Sequence, residues 1–101
     1  MSPDLEFTFG DITKKDIGTL NVNDFKNKCT KETEKLIKNI SSMSKVECEK
    51  KDVYISKIFK EIREVQRITR LIRDLNTKYQ FFYSCLKKYQ NELRKKIKEL
   101  S

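Results

Sequence analysis

Apolar residues recur at alternating three- and four-residue steps along the second half of the chain. The series is formed by Ile55, Ile58, Ile62, Val65, Ile68, Ile72, Leu75, Tyr79, Phe82, Leu86, Tyr89, Leu93, Ile97 and Leu100. An α-helix with about 3.6 residues per turn places such positions on one long, narrow stripe. Because its own helix cannot cover a stripe of this length, another helix must pack on it. The pattern therefore predicts an all-α protein that forms a coiled coil or helical bundle with other chains.

Helix boundaries are weakly marked, because residues 19–101 contain neither glycine nor proline. Asn21 or Asn23 is a candidate N-cap. Serines in residues 41–52 lower helix propensity, but they do not by themselves support a sharp turn. Two architectures remain open: one rod over roughly residues 22–99, or two helices hinged near residues 41–52. We favour the rod, which would be about 110 Å long at about 1.5 Å per residue.

The apolar stripe is not a strict heptad repeat. An extra three-residue step runs from Val65 to Ile68, and an extra four-residue step runs from Leu93 to Ile97. Such interruptions tighten or loosen a supercoil locally. They favour a bundle with several partner helices over a simple two-stranded zipper.

The first twenty residues differ from the rest in composition. They contain the single proline and both glycines, and their acidic residues outnumber their lysines. This composition predicts a disordered N-terminal tail over residues 1–20, followed by a helical coiled-coil region over residues 21–101. Phe7 and Phe9 are candidates for a short docking motif within the tail.

Aromatic residues are concentrated in residues 79–89, where Phe81 and Tyr83 point away from Phe82 if the segment is helical. One stripe cannot hide all of these rings, so the segment is a candidate hot spot for assembly. The predicted protein-interaction residues are Ile55, Ile58, Ile62, Val65, Ile72, Leu75, Tyr79, Phe82, Leu86, Tyr89, Leu93, Ile97 and Leu100. The alternative is that these are ordinary core residues of an intramolecular hairpin.

The chain is basic, with 23 lysines and arginines against 15 aspartates and glutamates and a formal net charge of +8. The whole excess lies beyond residue 20. Candidate nucleic-acid contacts near the C-terminus are Lys87, Lys88, Arg94, Lys95, Lys96 and Lys98. Clustered positive charge of this kind can bind phosphates, and it can equally be an ordinary solvated helix face.

The residue types that most catalytic and metal sites need are scarce. The chain has no histidine, its three cysteines form no CxxC pair, and its two glycines build no phosphate-binding loop. We therefore expect no enzyme activity, no cofactor, no metal and no small-molecule substrate. The widely spaced cysteines indicate a reducing, intracellular compartment. Neither a secretory leader nor an apolar run of about 18 residues is present, so we expect no membrane partner.

Two groups of residues carry a resemblance to a known family. The first group is Cys29, Thr30, Lys31 and Glu32, and the second is Tyr54, Ile55 and Ile58. In one ungapped register they resemble the Ser-Lys-Glu and Tyr-Ile-x-x-Ile motifs of the small testis-expressed component of the synaptonemal complex central element. The resemblance covers roughly residues 20–92. This chain is more basic than that family, is richer in aromatic residues and continues beyond the family's expected end.

The resemblance implies a structural protein with a disordered tail and one long helix. Such a protein would co-assemble with a second central-element coiled-coil protein, and the complexes would join into fibres that bridge paired meiotic chromosomes. The family's fibre contacts lie at the C-terminal tip of the helix. The corresponding positions in this chain are Phe82, Leu86, Tyr89 and Leu93.

The leading hypothesis is a non-enzymatic structural coiled-coil subunit of a nuclear, meiotic chromosome scaffold. It would self-assemble or join another coiled-coil protein as a homo- or hetero-oligomer. Subunits of kinetochore, cytoskeletal or tethering complexes are equally compatible with the pattern. A second hypothesis is a basic helical nucleic-acid-binding protein, with possible DNA contact. A third is a compact helical hairpin that holds one partner helix in a groove.

Overall fold

A short β-hairpin and four helices make up residues 8–101, the part of the chain that the computed structural model describes. The hairpin pairs β1 (Thr8–Phe9) antiparallel with β2 (Ile12–Thr13). The helices are α1 (Lys14–Thr19), α2 (Val22–Ile40), α3 (Lys45–Thr69) and α4 (Arg73–Glu99). The prediction of a helical protein is thus confirmed in its main feature, whereas the apolar pattern does not indicate the hairpin.

Helix α4 is the central element, and α3 packs antiparallel along it. The side-chain amide of Gln90 donates to Ser56 Oγ at 2.9 Å, and the Arg63 guanidinium donates to Tyr83 Oη at 3.2 Å. Residue numbers therefore fall along α3 as they rise along α4. This arrangement brings the apolar stripes of the two helices face to face.

Helix α2 packs on the other flank of α4 and runs parallel to it. Phe25 and Phe82 meet edge to face with ring centroids 6.2 Å apart. Farther along both helices, the Lys96 ammonium donates to the Ser41 carbonyl at 3.2 Å. The described residues extend over 43 × 27 × 17 Å. A rod of about 110 Å is incompatible with these dimensions, so the prediction of a single long helix is wrong.

The break between α2 and α3 lies at residues 41–44, inside the stretch that the hinged alternative identified. Ser44 is the N-cap of α3: its Oγ accepts the Glu47 amide, and the Glu47 carboxylate accepts the Ser44 amide at 2.9 Å. This capping box satisfies backbone amides that the first turn of a helix leaves unpaired. A turn can therefore form here without glycine or proline.

A second break separates α3 from α4 at residues 70–72, where the apolar pattern predicts continuous helix. Ile72 has an extended backbone (φ −98°, ψ 97°) and is the N-cap of α4. Ile68, Leu71 and Ile72 are exposed around this turn, Leu71 to 93%. Ile72 is therefore not part of the buried stripe, and neither is Leu100, which is exposed at the far end of the chain.

Most of the predicted protein-interaction residues are used inside the chain. The buried ones are Ile55, Ile58, Ile62, Val65, Tyr79, Phe82, Leu86, Tyr89 and Leu93, and the partly buried ones are Leu75 and Ile97. They belong to one core cluster, which corresponds to the intramolecular alternative. The stripe needs a covering helix, as predicted, but that helix is the folded-back half of the same chain.

The prediction of a disordered tail over residues 1–20 is wrong for residues 8–20. Phe9, Ile12 and Ile17 are each 2% exposed or less and belong to the core cluster. Burying these three large apolar side chains stabilises the segment and opposes the entropy lost on ordering it.

Phe9 is a core residue rather than part of a docking motif. Its ring meets Phe82 and Tyr89 edge to face, with centroid distances of 5.7 and 5.5 Å. Phe7, the other half of the suggested motif, lies outside the described residues.

The hairpin bridges α2 and α3, which have few direct contacts with each other. Tyr54 Oη of α3 donates to the Thr8 carbonyl at 2.7 Å, and the Asp11 amide donates to Glu32 Oε1 of α2 at 3.1 Å. Gly10 forms the turn with φ +61°, and a Cβ there would lie 2.7 Å from Glu32 Oε1. The left-handed backbone angle therefore favours glycine at this position, and a side chain there would also displace the Glu32 carboxylate.

Candidate nucleic-acid interface

One face of α4 remains exposed opposite the core. Its exposed residues recur every three or four positions, with one adjacent pair of lysines, and are Thr77, Gln80, Ser84, Lys87, Lys88, Asn91, Lys95 and Lys98. At about 3.6 residues per turn, these positions share one side of the helix. Half of these side chains are lysines and none is acidic. We call this set the open face of α4.

A groove of about 330 Å³ runs beside the open face, between α3 and α4. The residues that line it are Ser56, Phe59, Lys60, Arg63, Tyr83, Lys87, Gln90, Asn91 and Arg94. Four of the nine lining side chains are cationic, and none is anionic. The groove is therefore an electropositive concavity, which attracts anions more strongly than a flat surface with the same charge. We call it the α3/α4 groove, and we call the groove and the open face together the basic face.

Two aromatic rings stand among the cations of the groove. Phe59 and Tyr83 are half-buried and pack against each other with ring centroids 4.7 Å apart. The Arg63 guanidinium lies 5.8 Å from the centre of the Tyr83 ring and also donates to the Tyr83 hydroxyl. These contacts hold the guanidinium at the edge of the groove, and its remaining N–H groups can donate to an anion.

Carboxylates neutralise only part of the basic face. Arg94 Nε lies 3.6 Å from Asp52 Oδ2, and Lys95 Nζ lies 3.4 Å from Glu92 Oε2. Within residues 8–101, the lysines of the basic face that form no ion pair are Lys60, Lys87, Lys88 and Lys98. An exposed ion pair contributes about 1 kcal/mol or less, so a phosphate can compete for Lys95 and Arg94 as well.

Five of the six predicted nucleic-acid contacts lie on the basic face. They are Lys87, Lys88, Arg94, Lys95 and Lys98. Lys96 does not, because its ammonium donates to the Ser41 carbonyl at the turn between α2 and α3. Lys60 and Arg63 also belong to the basic face but were not predicted as nucleic-acid contacts. Their closeness to Phe59 in the chain is a visible signal, but only the packing of α3 on α4 brings them to the groove.

Metal and membrane sites have no counterpart in the described part of the chain. No group of three or more histidine, cysteine, aspartate or glutamate residues within residues 8–101 is placed to hold a metal ion. In the same range, no helix is both long enough and apolar enough to cross a membrane. No protein-family model, curated protein or solved structure matches the chain.

Proposed function

We propose that the chain is a non-enzymatic helical protein that binds the phosphate backbone of nucleic acid through its basic face. The observation that carries the proposal is the concentration of cations over carboxylates on one surface. The cations are Lys60, Arg63, Lys87, Lys88, Arg94, Lys95 and Lys98, and the carboxylates paired with them are Asp52 and Glu92. The basic face offers cations and aromatic rings but no histidine, the most frequent general acid or base, so its chemistry favours anion binding over acid–base catalysis.

The length of the open face fits several phosphates of one strand. Lys87 and Lys98 are separated by eleven residues of α4, which is about 16 Å at about 1.5 Å per residue. Over that distance each strand of duplex DNA carries about five phosphates, at about 3.4 Å per phosphate along the axis. Lys60 and Arg63 widen the surface across the groove. We therefore expect about five phosphate contacts.

Anisotropy of a labelled DNA duplex and of a labelled single strand measures the affinity of the reduced full chain at several salt concentrations. With about five phosphate contacts, log K for the duplex should fall with log salt at a slope of about −4.5. Replacing Lys87, Lys88 and Lys95 together with glutamine should make this slope shallower by about 3, because each lost phosphate contact removes about one unit.

A matched control replaces three exposed lysines outside the basic face with glutamine: Lys15, Lys38 and Lys50. Both triple variants remove the same net charge, so they differ only in whether the basic face is affected. The control should keep most of the salt slope. Equal losses in the two variants, or an affinity that does not change with salt, would reject the basic face as the binding site.

A second candidate function, a structural subunit of a helical assembly, is favoured by the exposed apolar residues at the turn between α3 and α4. Ile68, Leu71 and Ile72 form this group. Burying one such side chain in an interface contributes about 1.5–3 kcal/mol. In this candidate function two copies of the folded bundle associate through the turn. A coiled-coil partner remains a prediction of the apolar pattern, and a nuclear, meiotic scaffold remains a prediction that depends on the resemblance.

Light scattering on the reduced chain at moderate salt and increasing concentration tests the second candidate. A dimer that the double substitution Leu71→Lys and Ile72→Lys converts into a monomer would support association through the turn. Val46→Lys with Val53→Lys is the matched control, because both valines are exposed on α3 away from the turn. A monomer at every concentration, or a dimer that both double variants leave intact, would reject it.

A further inference from the structure

Cys29 of α2 and Cys85 of α4 lie side by side where the two helices pack. Cys29 comes one helical turn after Phe25 and Cys85 about one turn after Phe82, and these two rings meet edge to face between the same helices. The cysteines are 0% and 8% exposed. Cys48, the third cysteine, is buried near the start of α3. All three are free thiols. The fold therefore brings Cys29 and Cys85 together, and Cys48 serves as a control cysteine within the same chain.

A small pocket of about 220 Å³ leads from the surface to Cys85. The other residues that line it are Thr30, Thr33, Glu34, Phe81, Ser84 and Lys88. Of the two paired cysteines, only Cys85 is part of this lining. The pocket therefore offers a molecule as small as a hydroperoxide an approach to Cys85 that Cys29 lacks.

The surroundings of the pair favour negative charge on Cys85. Interaction with the neighbouring Cys29 thiol lowers the pKa of the Cys85 thiol against the opposing effect of burial, and the charge of Lys88 also lowers it. Interaction with Cys85, together with burial, raises the pKa of the Cys29 thiol. Thr33 is close to Cys85, but its hydroxyl proton is donated to the Cys29 carbonyl at 2.7 Å. Within the pair, negative charge is therefore favoured on Cys85 and the proton on Cys29.

We propose that Cys85 is a peroxide-reactive thiol and that Cys29 is its resolving partner, so that oxidation joins α2 to α4 through a reversible disulfide. First, the Cys85 thiolate attacks a hydroperoxide, the O–O bond breaks, and Cys85 becomes a sulfenic acid while the released oxyanion takes a proton from water. Next, the Cys29 sulfur attacks the Cys85 sulfur. The S–O bond breaks, and hydroxide leaves with the Cys29 proton as water. The peroxide has accepted two electrons, and a dithiol reductant restores both thiols.

The reactivity of this pair is measured without nucleic acid, so each proposal can fail while the other stands. The pocket shares Ser84 and Lys88 with the open face of α4, whereas the α3/α4 groove lies on the other flank of α4.

Peptide mapping of the unmodified chain is the primary test, because it requires no substitution. The reduced protein is treated with hydrogen peroxide beside an equimolar small thiol, remaining thiols are alkylated, and masses are recorded. We expect the chain to lose the mass of two hydrogen atoms, to carry one internal disulfide between Cys29 and Cys85, and to keep Cys48 as an alkylated thiol. A disulfide that includes Cys48, or three intact thiols when the small thiol is oxidised, would overturn the proposal.

Single substitutions assign the two roles. Cys29→Ser should stop at the Cys85 sulfenic acid, which dimedone traps. Cys85→Ser should leave Cys29 and Cys48 as thiols, and Cys48→Ser, the matched control, should behave like the unmodified chain. If Cys85→Ser instead forms a sulfenic acid on Cys29 at the original rate, the assignment of the reactive cysteine is wrong.

The pH dependence of alkylation gives an independent measurement on the unmodified chain. A lowered pKa keeps a thiolate present at lower pH, and burial raises the pKa of the Cys48 thiol. Reaction of Cys85 with iodoacetamide should therefore reach its plateau at lower pH than reaction of Cys48. Coincident profiles for the two cysteines would contradict the proposal.

Discussion

Replacing Phe9 with alanine tests whether the N-terminal hairpin is part of the core. The ring is 2% exposed and meets Phe82 and Tyr89 edge to face at 5.7 and 5.5 Å. Removing roughly 120 Å² of buried apolar surface costs about 3 kcal/mol at about 25 cal/mol per Å². The lost ring contacts and any cavity that remains add to this cost. We therefore expect the free energy of unfolding to fall by about 4 kcal/mol.

Urea unfolding followed by far-UV circular dichroism measures this loss. For a slope of about 2 kcal/mol per M, the midpoint should fall by about 2 M. Leu71→Ala is the matched control, because Leu71 is 93% exposed and its truncation should change stability by about 0.5 kcal/mol or less. If the two variants unfold at the same urea concentration, the hairpin is not part of the cooperative fold, and the reasoning is refuted.

Three further predictions concern the core and the N-terminal segment. Phe82 and Leu86 are fully buried, so replacing both with glutamate should unfold the chain, because burying an unpaired carboxylate costs folding free energy. A native helical circular dichroism spectrum of this double variant would contradict the fold. Tyr89→Phe should leave the urea midpoint unchanged or higher, since the buried Tyr89 hydroxyl has no hydrogen-bond partner within the described residues; a lower midpoint would reveal one. Burial alone would raise the pKa of Asp16. Hydrogen bonds from the Thr13 amide and from the Lys28 ammonium at 2.9 Å instead hold this pKa below the usual 3.8. Asp16 should therefore stabilise the fold above about pH 4 and lose this effect as pH falls through its lowered pKa. The stability gap between the natural chain and Asp16→Asn should shrink in acid, and parallel pH curves would exclude this role.

The helical segments could be predicted because they depend on local properties. The absence of glycine and proline after residue 18 and the helical period of the apolar residues predict α2, α3 and α4 as helix. Asn21, one of the two candidate N-caps, does cap α2, and its side chain accepts the Asp24 amide at 2.8 Å. Each of these features involves residues within one or two turns of each other.

The reversal between α3 and α4 could not be predicted in the same way. Residues 70–72 contain no helix breaker, and the apolar pattern continues through them. The extra three-residue step from Val65 to Ile68 is a nearby irregularity, but it predicts a change in supercoil rather than a turn. The reversal is stabilised by packing the α3 stripe on the α4 stripe, which is a gain between residues that are distant in sequence.

The basic face could be predicted from the sequence only in part. The helical period of α4 is enough to group Lys87, Lys95 and Lys98 on one side. Lys60 joins them only because α3 packs antiparallel beside α4. Lys96 lies within the same run of basic residues, but its ammonium donates to the Ser41 carbonyl at the turn between α2 and α3. Proximity in sequence therefore does not place Lys96 on the basic face.

The sequence by itself determined that the chain is helical and basic and that its long apolar stripe must be covered. Only the tertiary structure decided that the covering helix comes from the same chain, and that a hairpin from the N-terminal segment completes the core. Burial stabilises an apolar stripe equally whether the second helix belongs to the same molecule or to another, so periodicity cannot distinguish the two. Chain connectivity does distinguish them, because closing a short loop costs less entropy than holding a separate molecule in place.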